Sequence, residues 1–171
     1  MKKRVAAPTL RRVTLRDAVV LLPLWQTAHQ WHVRRHGGFF APLSDERALL
    51  VVRRELTALL ADPQQRLLVA VSADEPEAIL GYAQTRVRRT PDVAEIVATT
   101  RVELVQLVVA PTARRSRVGT ALLDAVRAWG RERGATELVL TVWEGNRGAM
   151  RFYARQGLSP VHRVLAAPLL P

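Results

Sequence analysis

The chain has 171 residues, 49% of them hydrophobic and 24% charged, a balance that fits one self-sufficient globular domain and excludes a disordered segment. It has no cysteine, which excludes a disulfide framework, a thiol nucleophile and a Cys-ligated zinc site. Its 26 basic residues, all arginine except Lys2 and Lys3, outnumber 15 acids for a formal charge of +11, so its partners are expected among anions: nucleic acid, acidic lipid or a phosphate-bearing small molecule.

No apolar stretch approaches the ~20 residues of a membrane span, and no signal-peptide core follows the basic start. A cytoplasmic protein with no membrane partner is the expectation. Thr14 and Asp17 form a T-x-x-D helix start. The helix should run to about Arg35, with Pro23 either kinking it or opening a second piece, and Gly37-Gly38 should stop it. Ser44 caps a second helix, with Asp45 and Glu46 in its first turn and Leu49, Val52, Leu56 and Leu59 at helical spacing. Asp62-Pro63 ends it. Residues 67–71 and 79–87 predict a hairpin around a polar turn at 74–77. A loop is expected over 90–100, then the strongest strand of the chain at 102–109.

Residues 118–133 predict an amphipathic helix with Ala121, Leu122, Ala125, Val126 and Trp129 on one face and Gly134 as its C-cap. A strand at 137–142, a last helix at 146–156 ended by Gly157, and a final strand at 160–166 complete the pattern. The strand–helix order of the second half predicts a parallel crossover within a mixed sheet.

The turn between the strongest strand and its helix reads Val108-Val109-Ala110-Pro111-Thr112-Ala113-Arg114-Arg115-Ser116-Arg117-Val118-Gly119. Free amides at a helix N-terminus attract anions, three arginines add charge there, and Gly119 permits close approach. A solvated basic turn is the plainer alternative. Neither G-x-x-x-x-G-K-[ST] nor G-x-G-x-x-G is present, so this is neither a P-loop nor a dinucleotide fingerprint.

From Glu103 to Pro160 the sequence resembles the GCN5-related N-acetyltransferase (GNAT) superfamily. The pyrophosphate turn of that superfamily, Q/R-x-x-G-x-G/A, stands here as Arg114-Arg115-Ser116-Arg117-Val118-Gly119, followed by Thr120-Ala121-Leu122-Leu123. Its N-x-x-A-x-x-F-Y-x-x-x-G pattern stands as Asn146, Ala149, Phe152, Tyr153 and Gly157. Arg117 departs from the pattern, because it replaces the first glycine of the turn, and a positive φ there would be strained.

The resemblance implies an α/β (α+β) fold: a mixed, mostly antiparallel sheet with a parallel strand–helix–strand unit, flanked by helices on both faces. It implies one acetyltransferase domain over 1–171, with an acceptor-side half (1–100) and an acetyl-CoA half (101–171). The co-substrate would be acetyl-CoA, with no metal. Its pantetheine arm would pair with the main chain of Leu107, Val108 and Val109. Arg114, Arg115, Ser116, Arg117, Val118, Gly119 and Thr120 would hold its pyrophosphate, with Asn146, Ala149 and Tyr153 also at the cofactor. The reaction is direct attack of an amine on the thioester, without a covalent enzyme intermediate.

Tyr153 is placed as general acid toward the CoA sulfur; the alternative is a packing tyrosine beside Phe152. Glu103 is placed as the base; the alternative is a glutamate in solvent or paired with an arginine. For Asn146 the alternative is a plain N-cap.

The acceptor is an unidentified amine. The first two helices and their connection would line its pocket, and they carry Trp25, His29, Trp31, His32, His36, Phe39 and Phe40. His29, His32 and His36 share a helical face at a spacing that can hold zinc, although solvated histidines look the same. Asp92 and Glu95 in the loop could meet an amine cation. The net charge disfavours polycationic acceptors unless carboxylates stand at the site.

Two other readings remain, a basic nucleic-acid-binding module and a non-catalytic CoA sensor on the same fold. Aromatic residues are only 5% of the chain and are not interleaved with arginines along a strand face, which argues against nucleic acid. Homodimers are frequent in the superfamily, and the resemblance allows one here.

Overall fold

A computed structural model describes residues 7–91 and 97–167; Asp92 and Glu95 lie outside them. The chain divides into two units, Met1–Leu140 and Thr141–Pro171.

The first unit contains β1 (Thr9–Arg12), α1 (Ala18–Arg35), α2 (Asp45–Ala61), β2 (Gln65–Val71), β3 (Ile79–Arg89), β4 (Thr100–Val109), α3 (Val118–Glu132) and β5 (Glu137–Leu140). The sheet order is β1-β2-β3-β4-β5. The first three pairings are antiparallel, and β4 runs parallel to β5 across the α3 crossover. The mixed sheet expected from the sequence is therefore present.

β1 was not foreseen. It has four residues, two of them arginines, with no apolar alternation, and it forms by covering the edge that β2 leaves open, Thr9 opposite Val71 to Arg12 opposite Leu68. It also anchors α1. Both oxygens of Asp17 accept from the Arg11 guanidinium, at 2.9 and 2.7 Å, and Oδ2 also accepts from the Thr14 amide at 2.7 Å and its hydroxyl at 3.0 Å. The Arg11 bond, more than the Thr14 bonds, lowers the proton affinity of this buried carboxylate. α1 then runs through Pro23 as one helix, and Ser44 caps α2 as the sequence suggested.

Helices cover both faces of the sheet. On one, Leu21 and Leu24 of α1 and Val52, Leu56 and Leu59 of α2 pack on Leu67, Val69, Val71 and Tyr82. On the other lies α3, whose Leu122, Leu123, Val126 and Trp129 are fully buried. Two glycines let α3 sit close. A Cβ on Gly81 would lie 2.7 Å from the Val108 carbonyl and 3.2 Å from Val118, and one on Gly130 would lie 2.6 Å from Val102 Cγ1.

In the second unit, α4 (Arg147–Arg155) starts on Asn146, whose Oδ1 accepts from the Ala149 amide at 3.2 Å. It stops at Gly157, at φ 80°, where the Leu158 amide donates to the Tyr153 carbonyl at 3.0 Å. The strand expected over 160–166 is absent; residues 158–167 carry no regular structure. A strand exists through its ladder. Here Pro160 offers no donor, Val161, Val164 and Leu165 do not alternate, and all three side chains are exposed.

Gly130→Ala tests the approach of α3. Overpacking against Val102 should cost about 1–3 kcal/mol and outweigh the ~1 kcal/mol that alanine gains in a helix. The check is a lowered urea midpoint at unchanged m-value.

Candidate active site

β4 pairs with β3 along its length but with β5 only from Arg101, opposite Glu137, to Leu104, opposite Leu140. Among the described residues of the first unit, 105–109 therefore lack a strand partner on the β5 side, and their main-chain groups on that edge are left out of the ladder. The divergence coincides with a bulge. Gln84 faces Gln106 and Thr85 faces Leu104, so Val105 is the extra residue. The buried Thr85 hydroxyl donates to the Glu103 carbonyl at 2.9 Å beside it.

The bulge shifts the alternation of β4 by one. Val102 and Leu104, then Leu107 and Val109, turn toward α3, while Glu103, then Gln106 and Val108, turn toward α1 and α2.

Past Val109 the chain makes a short 3-10 turn (Pro111–Ala113) and enters α3 at Val118. The Ser116 hydroxyl donates to the Ala113 carbonyl and draws the turn together. The first bond of the α3 ladder is Ala121 N–H to the Arg117 carbonyl. The amides of Val118, Gly119 and Thr120 therefore have no partner inside the helix, and the helix dipole adds to their positive potential. Arg114, Arg115 and Arg117 stand exposed around them. Arg115 and Arg117 have φ of 64° and 66°, the left-handed conformation that costs a side-chain-bearing residue about 1–2 kcal/mol. The strain anticipated at Arg117 is present, and Arg115 shares it.

Glu103 is ion-paired, as its alternative reading had it. Its Oε2 accepts from Arg86 at 2.7 Å and from Arg88 at 2.9 Å, and its Oε1 accepts from Arg86 at 2.9 Å. The Arg86 bond above all holds its carboxyl below the usual range. Arg86 is its cross-strand partner, so the pair also fixes register. Tyr153 lies on α4 with the Phe152 ring edge-on at 5.2 Å, and burial pushes its hydroxyl up to about 12. Asn146 and Ala149 form the α4 cap.

The aromatic and histidine cluster of α1 is real. Trp25 stacks on His29 at 4.8 Å, His32 stacks on Phe40 at 4.8 Å, and the Arg35 guanidinium lies 4.9 Å from the Trp31 ring. Burial lowers the His32 pKa, and His36 and His29 add to the effect. Among the described residues no three His, Asp or Glu side chains converge as metal ligands.

Beside this cluster a narrow cleft enters between α1, α2 and the sheet, with Trp25, Glu55, Tyr82, Gln84 and Gln106 in its lining. Of these, the sequence reading singled out only Trp25. The available signals were Glu55 flanking the apolar stripe of α2 and two polar residues, Glu103 and Gln106, three apart in an apolar strand.

A strand edge freed from its parallel neighbour thus leads into a cationic turn at the head of the crossover helix of a mixed α/β sheet. The Acetyltransferase (GNAT) family model matches residues 25–158, and the chain belongs to that family.

Among solved structures, a mutant of the BH1408 protein from Bacillus halodurans is 23% identical, with 95% of this chain and 99% of that one covered at a TM-score of 0.81. An aminoglycoside 6'-N-acetyltransferase, AAC(6')-Ih from Acinetobacter baumannii, is 16% identical over 96% and 99% at 0.72. Aminoglycoside N-acetyltransferase AAC(6')-Iy in complex with CoA is 17% identical over 98% and 97% at 0.67. At these identities the likeness establishes the fold. Sequence comparison with curated proteins finds no match. No helix among the described residues is long and apolar enough to cross a membrane.

Arg117→Gly should relieve the left-handed strain. Set against the greater chain entropy of glycine when unfolded, the net stabilisation is about 0.5–1 kcal/mol, read as a raised melting temperature without ligand.

Proposed function

We propose that the chain transfers an acetyl group from acetyl-CoA to a primary amine by direct attack. The observation that carries this reading is the turn into α3, where unpartnered helix amides and three exposed arginines converge at the end of a one-sided strand. Its chemistry fits a polyanionic co-substrate. The Val118, Gly119 and Thr120 amides, with Ser116 and the Arg114, Arg115 and Arg117 guanidinium groups, would hold the pyrophosphate. The main chain of Leu107, Val108 and Val109 would pair with the pantetheine arm, and Asn146 and Ala149 are assigned to the same co-substrate.

Acyl transfer forms a C–N bond, breaks the C–S bond and moves an amine proton to sulfur. A main-chain amide at Leu107 or Val109 would polarise the thioester carbonyl. Tyr153 is assigned as the donor to the departing sulfur. With its pKa pushed up to about 12, it is protonated at neutral pH when the C–S bond breaks, gives that proton to the sulfur, and is reprotonated from solvent. Glu103, held by Arg86 and Arg88, which lower its proton affinity, is assigned as the base that takes the amine proton through a water and passes it to solvent.

Thermal unfolding tests the donor site. At a hundred times its Kd, acetyl-CoA should stabilise the protein by about 2.7 kcal/mol, or roughly 5–10 °C. CoA should do the same and ATP little. No shift with either CoA species, beside salt-dependent binding to DNA, would replace this proposal with the nucleic-acid reading. In a thiol-release assay, Tyr153→Phe should lower kcat by about a hundredfold and leave the acetyl-CoA shift within a degree or so. Full donor binding with no turnover on any primary amine would point to the sensor instead.

A further inference from the structure

Along the sheet, Arg11 is matched with Asp17, Arg86 and Arg88 with Glu103, and Arg101 with Glu137. The corner where β1 and β2 meet the end of α3 breaks this pattern. Arg66 and Arg133 bring their guanidinium carbons to 5.2 and 5.4 Å from the centre of the Trp129 ring. Arg12 stands opposite Leu68, two residues along β2 from Arg66. Opposite residues share a sheet face, and diagonal ones lie roughly 7–8 Å apart, so Arg12 is the third cation of the group. None of the three enters an ion pair among the described residues.

We propose that Arg12, Arg66 and Arg133 form a second anion site, apart from the turn into α3, that takes phosphate, either free or as the ester of a small molecule. The site goes beyond acetyl transfer and does not depend on it. α3 is 15 residues long, which puts about 22 Å between this corner and the turn at the head of the helix.

Two observations support it. The first is a shortage of acceptors. Trp129 is 1% exposed, and its ring is the floor of the site. An aromatic ring attracts a cation through its quadrupole but offers no lone pair, so the N–H donors of both guanidinium groups still need oxygens. Arg66 Nε is buried without an acceptor among the described residues, and so is Trp129 Nε1. A buried donor left unmatched is costly, and the oxygens of an anion seated here would supply acceptors to the Arg66 group.

The second is electrostatic. Burial first, and then Arg12, lower the proton affinity of Arg66, and Arg133 adds to them against the pull of Glu132. The three cations repel one another at close quarters, and an anion among them relieves that repulsion. Two negative contributions stand nearby: Glu132, which is exposed, and the C-terminus of α3, with about half a charge. Three full positive charges outweigh both. Three forked donors also suit a tetrahedral anion with several oxygens better than chloride. The arginines come from β1, from β2 and from the turn after α3, so the bound anion would tie the edge strand to the helix.

The test titrates inorganic phosphate, against chloride at matched ionic strength, into the full chain. It follows the Trp129 indole N–H resonance, assigned through its own backbone. The expected result is a saturable shift with phosphate and none with chloride. Arg12→Gln and Arg133→Gln should each weaken the affinity about tenfold. Arg47→Gln on α2, which removes the same charge from an exposed position, and Arg117→Gln at the turn should leave it within twofold. Melting temperatures show that each variant is folded, and Arg12 is itself exposed, so its loss leaves the core intact. Glycerol 3-phosphate separates the two sources. Tighter binding than inorganic phosphate assigns the site to an ester, and equal or weaker binding assigns it to free phosphate. An unmoved Trp129 resonance in the parent protein overturns the proposal. So does a phosphate affinity that falls as far in Arg47→Gln as in Arg12→Gln, which would be a response to net charge alone.

Discussion

β4 has a strand on both sides only as far as Leu104, and the donor-site features proposed in the first unit follow from that. A parallel strand normally satisfies its neighbour to the end of the ladder. Here β5 stops at Leu140, and β4 continues for five residues with one partner. The extra residue Val105 sits at the point of separation, where a bulge adds local twist and re-aims the side chains that follow. One irregularity therefore frees a main-chain edge and rotates Gln106 and Val108 onto the α1–α2 face. It also delivers the chain to the turn that opens α3. Thr85 and Tyr82 on β3 stabilise it from the paired side, through the Glu103 carbonyl and the Gln106 side chain.

Charge is sorted across the same strand. At the far end of β4, Glu103 gathers Arg86 and Arg88, and Arg101 reaches Glu137 at 2.7 Å. These partly exposed pairs contribute little each, but they neutralise arginines that would otherwise repel one another across the ladder. No acid is paired with Arg114, Arg115 or Arg117 among the described ion pairs. The positive charge of those three arginines is thereby left at the turn, where amides and dipole reinforce it.

Much of this was legible in the sequence because local rules and tertiary demands agree there. The Ser44 cap, the stripe of α2, the strand at β4 and the amphipathic α3 with Gly134 after it needed no knowledge of neighbours. The turn motif was readable because its function depends on backbone amides, whose positions follow from the helix start.

What the sequence hid depends on pairing. β1 exists because β2 has an open edge, and its four residues carry no pattern of their own. The segment 160–166 shows the converse, apolar enough to suggest a strand but with no ladder to join. The bulge was visible only as a slip in period, with Val102 and Leu104 in one frame and Leu107 and Val109 in the other, and a strict alternation would have put Gln106 on the wrong face. The cleft required residues 25, 55, 82 and 106 to meet, and no local spacing announces that. The Glu103 ion pair lay between these extremes, since an acid in a strand next to an arginine-rich hairpin invites pairing, while the choice of Arg86 needed the register.

Arg117 shows how a local rule can be broken to a purpose. A left-handed residue at the head of α3 is better served by glycine, and the arginine costs about 1–2 kcal/mol in the free protein. A guanidinium at that point gains on the order of 1.5–3 kcal/mol from a hydrogen bond to a charged group, but only when an anion is present to accept it. The two magnitudes are comparable, so an anion bound at the turn would offset the strain. Positive φ at both Arg115 and Arg117 follows the same logic, because each left-handed step turns successive amides and side chains toward a common point. The turn is therefore held in a shape that its own residues disfavour, and an anion with several oxygens would compensate it by engaging both arginines and the α3 amides at once.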